Sequence, residues 1–228
     1  MKYVMLSLGV LAGIPLIWRQ REPLGLKNPW QAILLCLGFS AGSTLSAMLF
    51  ASLEGLLSGN GFRFGAISTY GVYFFFPPTV WFAAKAVKRN GWRWLDMFAV
   101  YALPSLFLMR CNCLRSGCCG GSPIGSTGLR WPTRQVEMIF YAIMLLVLLR
   151  REEAGARSGT AFPLLAGAYG AFRFIEEWFR DYSGESLIHL AHIWSLMAII
   201  IGFGLYFELN SGWTQASGPR KEKRVSKY

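Results

Sequence analysis

Seven stretches of this chain are too apolar for a water-facing surface, and their lengths restrict what it can fold into. They are Tyr3–Trp18, Trp30–Leu53, Phe64–Ala84, Leu95–Met109, Val136–Leu149, Thr160–Phe179 and Leu187–Phe207. A bilayer-crossing helix needs roughly 20 mostly apolar residues. The second, third and seventh stretches meet that requirement most clearly. The first, fourth and fifth are shorter and fit helices that are tilted, re-entrant or buried within a bundle. The sixth contains Arg173, Glu176 and Glu177, which lower its hydropathy. Backbone polar groups in lipid must be satisfied internally, and long apolar runs do this as helices. The expected fold class is therefore all-α, a polytopic membrane helix bundle of about seven transmembrane helices. Pro77 and Pro78 should bend the third one, because proline removes a donor and clashes one turn back.

Composition excludes other classes. Hydrophobic residues make up 54% of the 228 and charged residues 15%, with a mean hydropathy of +0.36. Intrinsic disorder needs the opposite balance. Five cysteines in this length do not make a disulfide-stapled mini-protein. A net charge of +11 would suit nucleic acid, but its distribution points to a membrane and no nucleic-acid partner is expected. If the seven stretches alternate sides, one side receives fifteen of the 23 lysines and arginines. Basic loops stay cytoplasmic, so that side is inside, the amino terminus is outside and the carboxyl terminus is cytoplasmic. The first stretch has no small-residue cleavage site before Arg19-Gln20-Arg21 and is expected to be a retained helix. Residues 1–210 then form a single transmembrane domain, and 211–228 a basic tail near anionic head groups. Trp92, Trp94, Trp178, Trp194 and Trp213 lie near predicted ends, as interface anchors do.

Three polar clusters interrupt this pattern. Met109 to Pro123 is rich in glycine and cysteine and is expected to be a loop; Trp131 to Glu137 leads into the fifth stretch; Tyr169 to Asp181 lies within the sixth. On a helix, Arg173 and Glu177 share a face one turn apart, as do Glu176 and Arg180. Each charge at membrane depth costs about 2.5–3.5 kcal/mol, so such groups face a bundle interior or a watery cavity. Arginines beside a glycine-rich loop suit phosphate, which guanidinium binds bidentately. At membrane depth a phosphate is most simply a phospholipid head group.

The order and spacing of these residues resemble the prolipoprotein diacylglyceryl transferase family, over about residues 60 to 181. Tyr169, Gly170, Arg173, Phe174, Glu177 and Arg180 match the family's Tyr-Gly-x-x-Arg-Phe-x-x-Glu-x-x-Arg. Pro132, Thr133 and Glu137 are in register with its His-Pro-Ser-Gln-Leu-Tyr-Glu stretch, and Arg110 and Gly117 hold the arginine and last glycine of its loop. Departures are equally specific. Tyr70, ahead of Gly71, stands where the family has a histidine, Cys113 replaces a loop asparagine, and Trp131 replaces the histidine before proline. Gly117 to Pro123 is similar to a divergent branch with a Gly-Cys-Cys-x-Gly-x-Pro loop.

The resemblance implies a multi-pass protein of the bacterial inner membrane. It implies transfer of a diacylglyceryl group from phosphatidylglycerol to the lipobox cysteine thiol of a prolipoprotein, with no metal or cofactor. Arg110, Arg173, Tyr70 and Cys113 are then the expected catalytic positions, with Arg110 and Arg173 clamping the leaving phosphate. Glu137, Tyr169, Glu177, Arg180 and Gly117 are the expected substrate-binding positions, Glu177 orienting Arg173. Two alternatives stay open: a non-catalytic phospholipid-binding membrane protein, and a thiol-redox or metal membrane protein. The last draws on Cys111, Cys113, Cys118 and Cys119, which read Cys-x-Cys-x4-Cys-Cys, and on His189 and His192. The cysteines fit plain structural thiols, a disulfide within the loop or a metal site, and Cys36 fits a small core residue.

Overall fold

The computed structural model describes residues 2–59, 61–62, 65–181 and 189–211. The starts of the third and seventh predicted stretches at Phe64 and Leu187, Trp213 and the basic tail from 212 lie outside the described residues. Within them the fold is all-α, with nine α-helices and no strand: α1 (Lys2–Arg19), α2 (Arg21–Leu24), α3 (Pro29–Leu57), α4 (Thr69–Phe74), α5 (Phe76–Ala86), α6 (Gly91–Ser116), α7 (Thr133–Glu153), α8 (Ala161–Glu176) and α9 (Leu190–Ser211). A 3-10 turn, Glu177–Phe179, extends α8. The one-turn α2 is a connector, and α4 with α5 makes one interrupted rod, so the helices group into seven.

Among the described residues three helices, α3, α6 and α9, are long and apolar enough to cross a membrane. The expectation for the third stretch needs correction. It is two helices that part at Phe75, and Pro77 and Pro78 lie in the first turn of α5. There proline starts a helix instead of bending one, because the first-turn N–H groups have no intrahelical acceptor. The fourth stretch is longer than expected. The Asn90 side chain caps α6 by accepting from the backbone N–H groups of Trp92 (3.0 Å) and Arg93 (3.3 Å). The helix then runs on to Gly117, whose φ of 72° gives the left-handed C-cap that glycine adopts freely. Arg110 to Ser116, expected in a loop, is therefore helical.

Helix α6 is the centre of the bundle. Every residue from Leu95 to Leu103 on it is buried, and it packs against α1, α5, α7 and α8. Phe98 sits edge-on to Phe39 at 5.3 Å and to Phe76 at 4.6 Å, tying α3 and α5 to it. Helices α8 and α9 form the most extensive pair, and small residues make it possible. A Cβ on Gly170 would lie 2.7 Å from the Ser195 carbonyl oxygen and 2.8 Å from the Ile199 nitrogen. The outer faces are apolar: Leu34, Leu49, Ile139, Ile143, Leu146, Ile200 and Phe207 are all exposed. Such a surface suits lipid, not water. Trp94 and Trp194 turn inward instead of anchoring an interface, packing on Phe39 and Phe50 respectively, whereas Trp178 stays 52% exposed.

At one end of α6, the Asp96 carboxylate accepts from the backbone N–H groups of Gly159 (2.5 Å), Ala161 (2.9 Å) and Phe162 (3.2 Å). It caps the start of α8 from a neighbouring helix, where a carboxylate meets the orphan donors and the positive end of the dipole. Arg110 stands near the other end of α6.

Candidate functional site

Arg110 comes from α6, Glu137 from the start of α7, Arg173 and Glu176 from the end of α8, and Glu177 and Arg180 from the turn that follows. Glu137 is fully buried and accepts from all three arginines. Arg110 binds it twice, through Nη2 to Oε1 at 2.9 Å and through Nε to Oε2. Arg173 Nη1 lies 3.0 Å from the same Oε1, and Arg180 Nη2 lies 3.2 Å from it. Arg173 also pairs with Glu176 and, through Nη2 at 2.7 Å, with Glu177. Arg180 Nε is 3.6 Å from Glu176 Oε1. Three guanidiniums thus face three carboxylates at near-complete burial, a balance that such a place demands. The balance is uneven in access. The side chains of Arg110 and Arg180 keep 13% and 16% exposure, against 8% for Arg173.

Tyr169 lies one turn before Arg173, 1% exposed, in a stack of buried rings with Tyr73 at 4.6 Å and Tyr141 at 6.4 Å. Tyr70 is across this stack, 6.1 Å from Tyr169. Its hydroxyl is engaged with α9: it donates to the Ala191 carbonyl at 3.0 Å and shares a 2.6 Å bond with the Ser195 hydroxyl.

The loop between α6 and α7 folds back onto the cluster. Ser122 N donates to Phe179 O at 2.8 Å, Trp131 N donates to Ser122 O at 3.0 Å, and the Trp131 and Phe179 rings are 4.5 Å apart. Arg134 Nη1 reaches the carbonyls of Cys113 and Cys118, each at 3.2 Å, and Thr133 Oγ1 reaches that of Cys119 at 3.2 Å. All five cysteines are free thiols. The sulfurs of Cys113, Cys118 and Cys119 lie within 4.8 Å of one another; Cys111 and the two histidines are not part of that group. A hydrogen bond from the Cys113 thiol, helped by the Arg110 and Arg180 guanidiniums, holds the Cys119 thiol down to about 5 against the opposing effect of burial. His192 is buried against Trp178 at 4.8 Å and Phe174 at 5.6 Å, and its Nδ1 accepts from the His189 backbone at 3.2 Å. That is a packed helix-end histidine.

Beside the ion cluster runs an apolar cleft of about 190 Å³ between the start of α7 and the end of α8. Trp131, Val136, Phe172, Ile175 and Phe179 line it, and Glu176 forms its polar end. Its outer wall is open, with Val136 at 41% and Ile175 at 63% exposure. The cleft suits a hydrocarbon chain, and the residue it shares with the ion cluster, Glu176, is 4% exposed.

Five positions expected from the sequence, Arg110, Glu137, Arg173, Glu177 and Arg180, therefore meet in one ion cluster. Tyr169 is buried one turn before Arg173, and Gly117 ends α6 about two turns past Arg110. Cys113 stands beside the cluster with its two partner thiols, and Tyr70 lies at its edge, within electrostatic reach of Arg173 and Glu177, with its hydroxyl bonded to α9. Sequence reasoning paired Glu176 with Arg180 alone and missed its bond to Arg173. It also missed Asp96, a single acid inside an apolar run whose partners lie more than sixty residues on. A family model described as prolipoprotein diacylglyceryl transferase matches residues 4–208. No curated protein matches the chain.

Proposed function

The chain belongs to the prolipoprotein diacylglyceryl transferase family, a family of membrane transferases, and from that premise we propose that it moves a diacylglyceryl group from phosphatidylglycerol to the cysteine thiol of a prolipoprotein in the bacterial inner membrane. The observation that carries the proposal is the meeting of three arginines on Glu137 beside an open apolar cleft, which shares Glu176 with the ion cluster. An acyl chain in the cleft brings the phosphate of its lipid to the guanidiniums. The acceptor thiolate attacks the glyceryl carbon that carries the phosphate ester oxygen. A C–S bond forms, the C–O bond breaks, its electron pair leaves with glycerol phosphate, and the thiol proton goes to solvent.

The accessible edges of Arg110 and Arg180 clamp the departing phosphate, where guanidinium acts bidentately and in a poorly hydrated setting. Arg173, held by Glu137, Glu176 and Glu177, is the positioning residue that keeps the other two in register. Purified protein with phosphatidylglycerol and a lipobox peptide should add a diacylglyceryl mass to the peptide. Arg110→Ala and Arg173→Ala should each abolish that gain while the protein still inserts. Transfer retained in both variants would discard these roles.

A second reading is a phospholipid-binding protein without catalysis. It is favoured by Tyr70, which stands in the family histidine's place with its hydroxyl engaged by Ser195 and Ala191. Phosphatidylglycerol binding without peptide mass gain would select it.

A further inference from the structure

Three thiols at the end of α6 are not used by the transfer chemistry. Cys113 projects from the last turn of the helix, Gly117 reverses the chain with φ 72°, and Cys118 and Cys119 follow at once. Adjacent side chains on extended backbone point apart. Cys119 departs from that arrangement, with φ 56°, one of two non-glycine residues of positive φ among the described residues. A non-glycine residue there is strained and persists only where its surroundings hold it. Here Thr133 and Arg134 hold it, through hydrogen bonds to the carbonyls of Cys119, Cys118 and Cys113. The strained turn brings both neighbouring sulfurs to Cys113, all three within 4.8 Å.

Thiolates that share one metal ion at about 2.3 Å lie roughly 3.8–4.0 Å apart, a contraction within reach of side-chain rotation. We propose that Cys113, Cys118 and Cys119 form a three-sulfur site for a soft d10 cation: Cu(I) in trigonal coordination, or Zn(II) with water as the fourth ligand. Soft sulfur ligands select such ions over hard ones. Cys118 and Cys119 are exposed, which gives an ion its way in. Arg110 and Arg134 stand beside the site and offset the negative charge left after three thiolates take one cation. The three thiols take no part in the transfer reaction proposed above, although they share the neighbouring Arg110 with it.

The test is metal binding by the full chain, purified in detergent and kept reduced. Cu(I) is titrated against a colorimetric Cu(I) chelator, and Zn(II) is measured separately by equilibrium dialysis. One tightly held equivalent of either ion is expected, and whichever binds identifies the site's metal. Cys113→Ser, Cys118→Ser and Cys119→Ser should each weaken binding by at least 100-fold, while Cys111→Ser leaves it unchanged. Melting temperatures of the variants, and sulfur-to-cadmium charge-transfer absorption on Cd(II) addition, separate a lost site from a lost fold. Failure to hold either Cu(I) or Zn(II), equal loss in Cys111→Ser, or a disulfide among the three thiols under anaerobic isolation would each overturn the proposal.

Discussion

Glu137→Gln is the most informative single change in this molecule. The substitution keeps shape and one carbonyl oxygen but removes the anion that three guanidiniums share. The remaining Glu176 and Glu177 cannot balance Arg110, Arg173 and Arg180, so one positive charge is left over at a place with 0% exposure. The new amide also sets N–H donors against the Arg110 Nε–H, which now meets Glu137 Oε2. Leaving one partner of a buried ion pair uncompensated costs roughly 3–5 kcal/mol. For a chain of this size each kcal/mol lowers the melting temperature by about 2–4 °C, which makes the expected loss roughly 6–20 °C. The exposed pair Arg130–Asp181, at 2.7 Å with side chains 56% and 28% exposed, is the control, and Arg130→Ala should cost at most about 1 kcal/mol. Thermal unfolding followed by tryptophan fluorescence in detergent reads both. A second comparison fixes the sign of the charge effect. Phosphatidylglycerol should raise the melting temperature of Glu137→Gln more than that of the parent, because the spare guanidinium charge can meet a phosphate. A Glu137→Gln protein that melts within about 2 °C of the parent would refute the view that this carboxylate holds the cluster together.

Three further outcomes are expected. Gly170→Ala should force α8 and α9 apart and cost about 1–3 kcal/mol in thermal unfolding, whereas Gly38→Ala, in the interior of α3 with nothing within 4 Å of its Cβ, should stabilise by up to about 1 kcal/mol. Tyr70→Phe loses two buried hydrogen bonds to α9 and should cost about 1–2 kcal/mol while peptide lipidation stays within severalfold; a loss above 100-fold in a protein that melts normally would make the hydroxyl chemical. Because the Cys119 value is lowered from 9.0 to about 5, the stability its thiolate contributes is complete above pH 9, shrinks as pH falls and is gone below about 5, and iodoacetamide at about pH 6 should label Cys119 ahead of the equally free Cys111. Arg110→Ala removes a neighbouring cation and should slow that labelling; equal rates for the two cysteines would contradict the assignment.

The helices were legible where hydropathy alone decides. Helices α3 and α9 coincide with long runs that carry almost no charge. The break at Phe75 was not legible, because Tyr73 to Val80 is apolar on both sides of it and only the preference of proline for a first turn marks the restart. The extension of α6 past Arg110 did have a signal. No glycine or proline stands between Pro104 and Gly117, and the cysteines and polar residues there obscured that continuity. Within the site, the Arg173–Glu177 pair follows from helical spacing. The meeting of Arg110, Arg173 and Arg180 on Glu137 does not, since they lie 27, 36 and 43 residues from it in sequence, and only the motif resemblance brought them together. Asp96 was invisible because its partners are backbone groups, and those carry no residue-type signature.

Helix α6 carries Asp96 towards one end and Arg110 towards the other. They are fourteen positions apart, a rise of about 21 Å, while the hydrocarbon slab is about 30 Å thick. Both residues cannot sit at the two water boundaries at once. Either the bilayer is pinched around this protein, or at least one of the polar groups is sunk several ångströms beneath the surface. If Arg110 is the sunken one, the transfer proposed above would find its three arginines at the depth of the lipid's glycerol carbons, and the lipid would not have to rise into water.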